Sequence, residues 1–247
     1  DGNVFIEDGC DAECNGECGP IAAPPEAPPL GCGSANFSAY DHTVRAMPQR
    51  KYPEFCKAMT LEAWVKIDPD HADSPRYIMH VDGVDGFGLT VTAEKVECWV
   101  ADIAGNRREE REFPTAVPLG RWIHLACSYD GTQKTVYIDG MAVGSMPYEE
   151  EPAWSVWGPL KFGQTVNVIS PRTQFIGNID EVRISTIARY TENFMPQMRF
   201  DPDINTVGLW HFDEREGETT ADWSGNGVTG TFDDVRWSND CPARPAP

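Results

Sequence analysis

Short runs of alternating apolar and polar residues recur along most of the chain, with turn residues between them. From Val136 to Ile138 the pattern has the two-residue period of a strand with one buried face. Asp130-Gly131 before this run and Asp139-Gly140 after it predict tight hairpin turns. Comparable runs are Leu61 to Ile67, Tyr77 to Val81, Phe87 to Thr92, Val96 to Ala101, Trp122 to Tyr129, Leu160 to Gly163, Gly177 to Ile184 and Val207 to Phe212. Short strands at a spacing of roughly 8 to 12 residues predict an all-β antiparallel sandwich.

Helical signals are sparse in this sequence. No long window sustains apolar residues at the i, i+3, i+4 and i+7 positions of an amphipathic helix. The chain contains 22 Gly and 20 Pro, which interrupt every candidate stretch. We expect any helix to be about one or two turns long. No stretch approaches the roughly 18 apolar residues of a membrane-spanning helix, so we expect no membrane span.

The length and composition predict one domain with an appendage. With 247 residues and 40% hydrophobic content, the chain can form one substantial core. We predict a sandwich over residues 34–241, a tail over 242–247 and an N-terminal arm over 1–33. The arm contains four of the eight cysteines and the proline-rich run Ala22 to Pro29, with almost no large apolar residues. Because it cannot build its own core, we expect an irregular arm that disulfides hold in place.

The even number of cysteines in a Gly- and Pro-rich β protein indicates disulfides and an oxidising compartment. The disulfide candidates are Cys10, Cys14, Cys18, Cys32, Cys56, Cys98, Cys127 and Cys241. Cys98 and Cys127 both lie in predicted core strands and are candidates for one pair. Cys241 is expected to pair with Cys32 or Cys56, because the termini of a domain often lie close together.

The spacing of Cys10, Cys14 and Cys18 also allows a zinc site. Zinc sites favour closer cysteine pairs with a second pair or histidines nearby, and the first histidine of this chain is His42. We therefore favour disulfides over zinc. The chain begins at Asp1 rather than Met, which agrees with processing during export, and we predict a secreted or cell-surface protein.

The chain is strongly acidic. Its formal net charge of −19 arises from 39 acidic against 20 basic residues. Such a surface repels the phosphates of nucleic acids and of anionic membranes, so we predict no nucleic-acid partner. Divalent cations and basic protein surfaces are the natural counterparts, although an acidic surface also keeps an extracellular protein soluble.

Four segments carry the motifs of a known family. They read MTLEAWVKI from Met59, RWIHLACSYDGTQKTVYIDG from Arg121, FIGNIDEVRISTIARYTENFM from Phe175 and TVGLWHFDEREGETTADWSGNGVTGTF from Thr206. Together they resemble the laminin-G-like jelly-roll family of the concanavalin A-like lectin/glucanase superfamily, over about residues 34–237. The resemblance implies a concanavalin A-like jelly roll and does not extend to the N-terminal arm.

The position of the Trp-x-Phe-Asp-Glu element differs from that in many relatives. There it opens the domain, whereas here it follows the Asn-Ile-Asp-Glu strand. It is either the closing strand of this sandwich or the first strand of another copy. We favour closure, because Cys241 and the proline-rich segment CPARPAP follow directly.

The resemblance also implies a structural calcium ion at the sandwich rim, with Asp180 as a ligand and Asn178 beside it. Calcium takes about six to eight oxygen ligands, and alternate residues of one strand cannot all face one ion. The further candidate ligands are Asp41, Asp213 and Asp222. The alternative is that Asp180 is a buried carboxylate that pairs with Arg183 or accepts turn N–H groups.

Catalysis must be considered because related folds include β-glucanases. Their retaining chemistry needs two carboxylates about 5 Å apart, mounted on one strand face as Glu-x-Asp-x-(x)-Glu. The nearest match, Gly177 to Glu181, lacks the first Glu and has Arg183 where a second acid would stand. His124 lies in a predicted strand and fits a structural role better than the role of a base. We therefore predict a protein that is not an enzyme.

The favoured function is extracellular recognition or adhesion by glycan binding, with calcium as a structural cofactor. Sugar sites combine aromatic faces with polar side chains that satisfy the hydroxyl groups. Trp154, Trp157 and Tyr148 lie in a Pro- and Gly-rich region and are the candidates for glycan contact at a rim or concave face. The alternative is that these three rings pack under a long loop. The tryptophans expected in the core are Trp64, Trp99 and Trp122.

A structural subunit of an extracellular or cell-surface assembly is the alternative function. The arm at 1–33 favours it, because an extended segment can wrap onto a neighbouring protein without a core of its own. The predicted partner is thus a glycan or a protein. Exposed aromatic rings with a rim cation would favour a lectin, and an arm ordered only against another chain would favour the structural role.

Overall fold

The computed structural model describes residues 31–47, 58–73, 75–81, 86–100, 112–148, 159–164 and 173–242. The strands of these residues are β1 Ser34–Phe37, β2 Thr43–Ala46, β3 Met59–Ile67, β4 Arg76–Val81, β5 Phe87–Val91, β6 Lys95–Val100, β7 Glu112–Pro114, β8 Trp122–Tyr129, β9 Gln133–Ile138, β10 Met141–Pro147, β11 Leu160–Phe162, β12 Gly177–Ser185, β13 Thr206–Trp210, β14 Thr219–Thr220, β15 Gly230–Asp233 and β16 Arg236–Ser238. A single 3₁₀ turn, Pro69–His71, is the helical element of the described residues. The predicted all-β class and the scarcity of helix are confirmed.

Two antiparallel sheets form the sandwich. In the first sheet β10, β9, β8, β3, β12, β1 and β16 are neighbours in that order, and β13 also pairs with β12. The second sheet has the order β14, β15, β2, β11, β4, β5, β6 and β7. Alternate residues of β3, among them Leu61, Ala63 and Val65, point into the core between the sheets and are fully buried.

The two predicted hairpin turns are present. Asp130 closes the turn between β8 and β9, where its carboxylate accepts hydrogen bonds from the backbone N–H groups of Thr132 and Gln133, both at 2.9 Å. Asp139 and Gly140 join β9 to β10 with φ angles of 50° and 76°. Positive φ at two successive residues is typical of the tight turns that match strand twist.

The disulfide Cys98–Cys127 joins the two sheets through the core. Cys98 lies on β6 of the second sheet and Cys127 on β8 of the first, with their Cα atoms 6.2 Å apart and no exposed surface. The predicted pair is therefore confirmed. Cys10, Cys14, Cys18 and Cys56 lie outside the described residues.

The C-terminal segment returns to both sheets and closes the sandwich. The strand β13 pairs with β12, β15 pairs with β2, and β16 pairs with β1. A second disulfide joins Cys32 to Cys241, with Cα atoms 5.6 Å apart. Of the two partners that were open for Cys241, the structure selects Cys32, and the element that begins at Thr206 closes this same domain.

A long connection without helix or strand covers the outer face of the first sheet. We call residues 186–205, between β12 and β13, the strap. Two side chains of β3 bind it by hydrogen bonds. The Thr60 hydroxyl donates to the carbonyl of Ile187 at 2.8 Å, and the Trp64 indole donates to the carbonyl of Gln197 at 2.9 Å. Residues of β3 that point away from the core are therefore buried as well. Among the described residues, no helix has the length and apolar character needed to cross a membrane.

Candidate functional site

The Asn-Ile-Asp-Glu motif forms a bulge in β12 that holds the strap. Glu181 has a φ angle of 50°, and the pairing of β12 with β3 shifts between Asp180 and Arg183. The buried Glu181 carboxylate accepts a hydrogen bond from the backbone N–H of Phe200 in the strap at 2.9 Å. The same carboxylate lies 2.9 Å from Nδ1 of His211, which directly follows β13. Through the Glu181 carboxylate, the motif thus connects β12, the strap and the residue that follows β13.

Asn178 and Asp213, two of the predicted calcium ligands, serve other contacts in the fold. The Asn178 amide donates to the Ser34 hydroxyl at 2.9 Å. One oxygen of Asp213 accepts the backbone N–H of Gly33 at 3.1 Å, and the other pairs with the guanidinium of Arg199. Asp213 therefore ties the segment before β1 to the strap.

Asp222 organises a turn, and Asp41 lies on the surface. One oxygen of Asp222 accepts the backbone N–H groups of Leu209 at 3.1 Å and Ser224 at 2.9 Å, and the other accepts that of Val228 at 3.0 Å. Asp41 is exposed at a turn between β1 and β2.

Asp180 is fully buried, and its Oδ1 accepts the backbone N–H of Glu181 at 2.8 Å. This contact agrees with the alternative that Asp180 accepts a turn N–H group. The five predicted ligands are not gathered round one point, and no group of three His, Cys, Asp or Glu suited to a metal occurs among the described residues. Calcium therefore stays a prediction from the resemblance.

Glu62 lies under the strap at the centre of a buried polar network. Its carboxylate accepts hydrogen bonds from Arg183 Nε at 2.8 Å and from the Tyr190 hydroxyl at 2.8 Å, and lies 3.1 Å from His124 Nε2. Burial alone would raise the pKa of Glu62, but His124 and Arg183 outweigh it and lower the pKa to about 2. Glu62 is therefore ionised at neutral pH and holds β8, β12 and the strap together.

A second ion pair, between Arg189 and Asp203, lies within the strap. Both guanidinium nitrogens of Arg189 meet the Asp203 carboxylate, at 2.9 and 2.7 Å, and Arg189 Nε donates to the Ser185 hydroxyl at 2.6 Å. Burial opposes ionisation of Asp203, but the Arg189 pair prevails and lowers its pKa to about 2. The pair thus joins the first part of the strap to its last part, and the bond to Ser185 connects it to β12.

Aromatic rings seal this network from solvent. The ring of His124 lies 5.5 Å from that of Trp64, 5.7 Å from that of Phe194 and 5.8 Å from that of Phe200. The Tyr190 and Phe194 rings stack 3.5 Å apart. His124 and Glu62 have no exposed surface, so a substrate cannot reach either group in this structure. The structural role predicted for His124 agrees with this geometry.

Of the three aromatic residues predicted to contact glycan, the structure describes Tyr148. Tyr148 is 3% exposed, its hydroxyl donates to the carbonyl of Val100 at 3.1 Å, and Lys134 lies over its ring. The ring is therefore not open to a glycan, and its burial agrees with the alternative that it packs inside the fold. Trp154 and Trp157 lie outside the described residues.

Two of the three predicted core tryptophans, Trp64 and Trp99, are buried, whereas Trp122 is half-buried at the surface of the first sheet. The Trp122 indole donates to Asp240 Oδ1 at 2.9 Å, and Lys66 Nζ meets Asp240 Oδ2 at 2.7 Å. Burial would raise the pKa of Asp240, but hydrogen bonds from Lys66 and Trp122 lower it.

A row of polar side chains continues from Trp122 across four strands. Strand register places Lys66 beside Trp122, Asn178 beside Lys66 and Asn36 beside Asn178. The Asn36 amide donates to Asn178 Oδ1 at 3.1 Å. We call Asn36, Lys66, Trp122, Asn178 and Asp240 the Asp240 patch. It combines an indole with amide, ammonium and carboxylate groups on a rigid sheet.

Comparison with known proteins agrees with this architecture. Residues 44–193 match the family model described as concanavalin A-like lectin/glucanases superfamily. The chain belongs to this superfamily. Membership confirms the resemblance to laminin-G-like domains, and no curated protein matches the chain.

Solved structures share the superfamily fold at low sequence identity. A proposed carbohydrate-binding protein from Bacteroides ovatus has a TM-score of 0.64 and 19% identity, over 86% of this chain and 61% of that protein. The chain therefore spans less than two thirds of that protein's length. A SAP-like pentraxin from Limulus polyphemus has a TM-score of 0.54 and 15% identity, over 83% and 97% of the two chains.

A carbohydrate-binding domain, the CBM40 of the Ruminococcus gnavus IT-sialidase, was solved with α2,3-sialyllactose. It has a TM-score of 0.50 and 14% identity, over 64% of this chain and 93% of that one. At these identities the likeness shows the fold alone.

Sequence reasoning missed Glu62 and Asp240. A signal for Glu62 was present, because it is a lone acid in the apolar strand MTLEAWVKI and Arg183 is the lone base of NIDEVRI. Asp240 had no such signal, since its contacts join the C-terminus to strands far away in the sequence.

Proposed function

We propose that this chain is a non-catalytic recognition module that binds glycan through the Asp240 patch. The observation that carries the proposal is the indole of Trp122, which Asp240 holds beside a row of hydrogen-bonding side chains. Sugar recognition requires this combination, because an aromatic ring covers the C–H face of a pyranose while polar groups satisfy its hydroxyls.

The charges of the patch favour a neutral or mixed-polarity glycan. The Lys66 ammonium and the Asp240 carboxylate neutralise each other at 2.7 Å and remain 35% and 43% exposed, so both can accept a further partner. The Asn36 side chain adds an amide at the other end of the row. Hydroxyl groups of a sugar can donate to Asp240 and accept from Lys66 without a net charge on the ligand.

Two acids near the patch support recognition rather than hydrolysis, because neither is open to a substrate. Glu62 and Glu181, which lie on the same outer face as the patch, are fully buried and occupied by ion pairs or hydrogen bonds. A glycosidase needs one acid to protonate the leaving group and a second as nucleophile or base, both open to the substrate. The described carboxylates on this sheet face do not supply that pair.

Superfamily membership and the fold it shares with carbohydrate-binding domains also support the proposal. The disulfides Cys98–Cys127 and Cys32–Cys241 agree with an oxidising compartment, where secreted and cell-surface lectins work. We include secretion and adhesion in the proposal on these grounds.

A glycan array with the oxidised protein tests the function. Binding by the wild type and its loss in Trp122→Ala, with an unchanged circular dichroism spectrum, are the expected results. The double variant Trp154→Ala/Trp157→Ala tests the rim candidates predicted from the sequence. If only that double variant loses binding, glycan recognition stands and the Asp240 patch is the wrong site.

Calcium remains a separate part of the proposal. Thermal unfolding followed by tryptophan fluorescence, first with calcium and then with a chelator, decides it. A large loss of stability in the chelator would establish a bound ion. An unchanged melting temperature would remove calcium from the proposal and leave glycan binding to be judged by the array alone.

A further inference from the structure

The two described disulfides differ in their access to solvent. Cys98 and Cys127 are fully buried between the sheets. Cys32 and Cys241 are both half-exposed, at the place where the chain enters and leaves the sandwich. A reductant in solution can therefore reach the Cys32–Cys241 bond while the protein is folded, but it can reach the core bond only after the sheets separate.

The Cys32–Cys241 bond directly adjoins the Asp240 patch. Asp240 precedes Cys241, and its backbone carbonyl accepts the hydroxyl of Ser34, two residues after Cys32, at 2.6 Å. The Asp240 side chain holds both the Trp122 indole and Lys66. One covalent bond thus fixes the residue that positions the aromatic and cationic groups of the patch.

The strand pairs before the disulfide can persist without it. The strand β1 remains paired to β12 along Ala35 to Phe37, and β16 is paired to β1 up to Ser238. Beyond Ser238 the chain reaches Asp240 through the turn in which the Ser238 hydroxyl accepts the Asp240 N–H at 3.0 Å. Loss of the bond therefore leaves the sheets intact, and the residues after Ser238 are then held by non-covalent contacts alone.

We propose that Cys32–Cys241 is a thiol–disulfide switch that controls the Asp240 patch. This inference rests on the proposed glycan function for its biological meaning. A dithiol reductant attacks one sulfur of the bond, forms a mixed disulfide and then closes to its own disulfide. Two electrons pass from the reductant to the protein, and Cys32 and Cys241 each take up one proton to become thiols. Asp240 is then released from its fixed position, and Trp122 loses its hydrogen-bond acceptor.

Differential alkylation tests the selectivity without any glycan. The oxidised 247-residue chain is treated with dithiothreitol in the absence of denaturant, and free thiols are alkylated and assigned by peptide mass mapping. We expect Cys32 and Cys241 to be labelled together while Cys98 and Cys127 stay unlabelled and the circular dichroism spectrum is unchanged. Equal labelling of both pairs, or unfolding at the same reductant concentration, would overturn the proposal.

Tryptophan fluorescence then tests the coupling to the patch. Reduction is expected to change the emission of the wild type, and the change should be absent in Trp122→Phe. The double variant Cys32→Ser/Cys241→Ser should show the reduced emission without reductant. Unchanged emission of the wild type on reduction, after labelling has confirmed free thiols at Cys32 and Cys241, would contradict the coupling.

Glycan affinity provides the functional readout. With a glycan found on the array, we expect the double cysteine variant and Asp240→Ala to bind about tenfold more weakly than the oxidised wild type. Dithiothreitol should weaken the wild type equally and leave the double variant unaffected. Failure of the wild type to bind any glycan would refute the proposed function, whereas the alkylation and fluorescence results would still decide the switch.

Discussion

Glu62 on β3 and Arg183 on β12 form a buried ion pair, with Arg183 Nε 2.8 Å from the Glu62 carboxylate. The two residues are 121 positions apart in the sequence and lie opposite each other where β12 carries its bulge. Because His124 and Tyr190 complete the shell of Glu62, the pair attaches the strap to the first sheet. Several tests follow from this arrangement.

Removal of the Glu62 charge should be strongly destabilising. We expect Glu62→Gln to lower the free energy of unfolding by about 3 to 5 kcal/mol, because Arg183 is then left buried without its counter-ion. Urea unfolding followed by circular dichroism measures this change. The matched control is Asp233→Asn, which breaks the exposed pair with Arg45 and should change the stability by less than about 1 kcal/mol. Equal effects of the two substitutions would show that the buried network does not hold the fold.

Acid should weaken the protein in a defined pH range. The pKa of Glu62 falls from 4.5 to about 2 in the folded state, and that of Asp203 from 3.8 to about 2. Each carboxylate therefore contributes stability that is fully present above its unfolded pKa and is lost as the pH falls through its folded pKa.

We accordingly expect the free energy of unfolding to decline between about pH 4.5 and 2. The decline should be shallower in Glu62→Gln, because the substituted side chain no longer titrates. Urea unfolding at a series of pH values measures both slopes. Parallel slopes for the wild type and the variant would mean that Glu62 is not the group responsible.

Substitution of Asp222 should destabilise the protein irrespective of calcium. Its two oxygens accept three backbone N–H groups, so Asp222→Ala should cost about 1 to 3 kcal/mol. Melting temperatures in calcium and in chelator give the comparison, with the exposed Asp41→Ala as the control. If the loss at Asp222 appears only in calcium, the residue is an ion ligand after all.

Alanine substitutions at Gly140 and Gly227 distinguish steric contact with the strap from backbone strain at positive φ. Both have positive φ, at 76° and 71°, but a Cβ atom at Gly140 would lie 1.9 Å from the carbonyl oxygen of Phe194, whereas a Cβ at Gly227 meets nothing within 4 Å. We expect Gly140→Ala to displace the strap and lose several kcal/mol, and Gly227→Ala to lose about 1 kcal/mol from backbone strain alone. Thermal unfolding measures both, and similar losses would place the strap farther from the hairpin.

The sequence by itself determined the class of fold, most of the strands and one disulfide. Alternation of apolar residues fixed β3, β8 and β12, because a strand that buries one face needs a period of two. Dipeptides such as Asp139-Gly140 fixed the hairpins, because their backbone conformation is local. Cys98 with Cys127 was predictable because both stand in core strands.

Tertiary structure alone decided the contacts between distant segments. The motif around Asp180 was interpreted as a calcium ligand set, yet its Glu181 carboxylate binds Phe200 of the strap, and nothing local in the sequence records that crossing. The sequence left open whether Tyr148 contacts glycan or packs inside, and its hydrogen bond to Val100 on another strand places it in the core. Asp240 came beside Trp122 because β16 pairs with β1 of the first sheet and the Cys32–Cys241 disulfide closes the chain next to that pair. These contacts join residues 19, 48 and 118 positions apart in the sequence, and local residue patterns do not encode them.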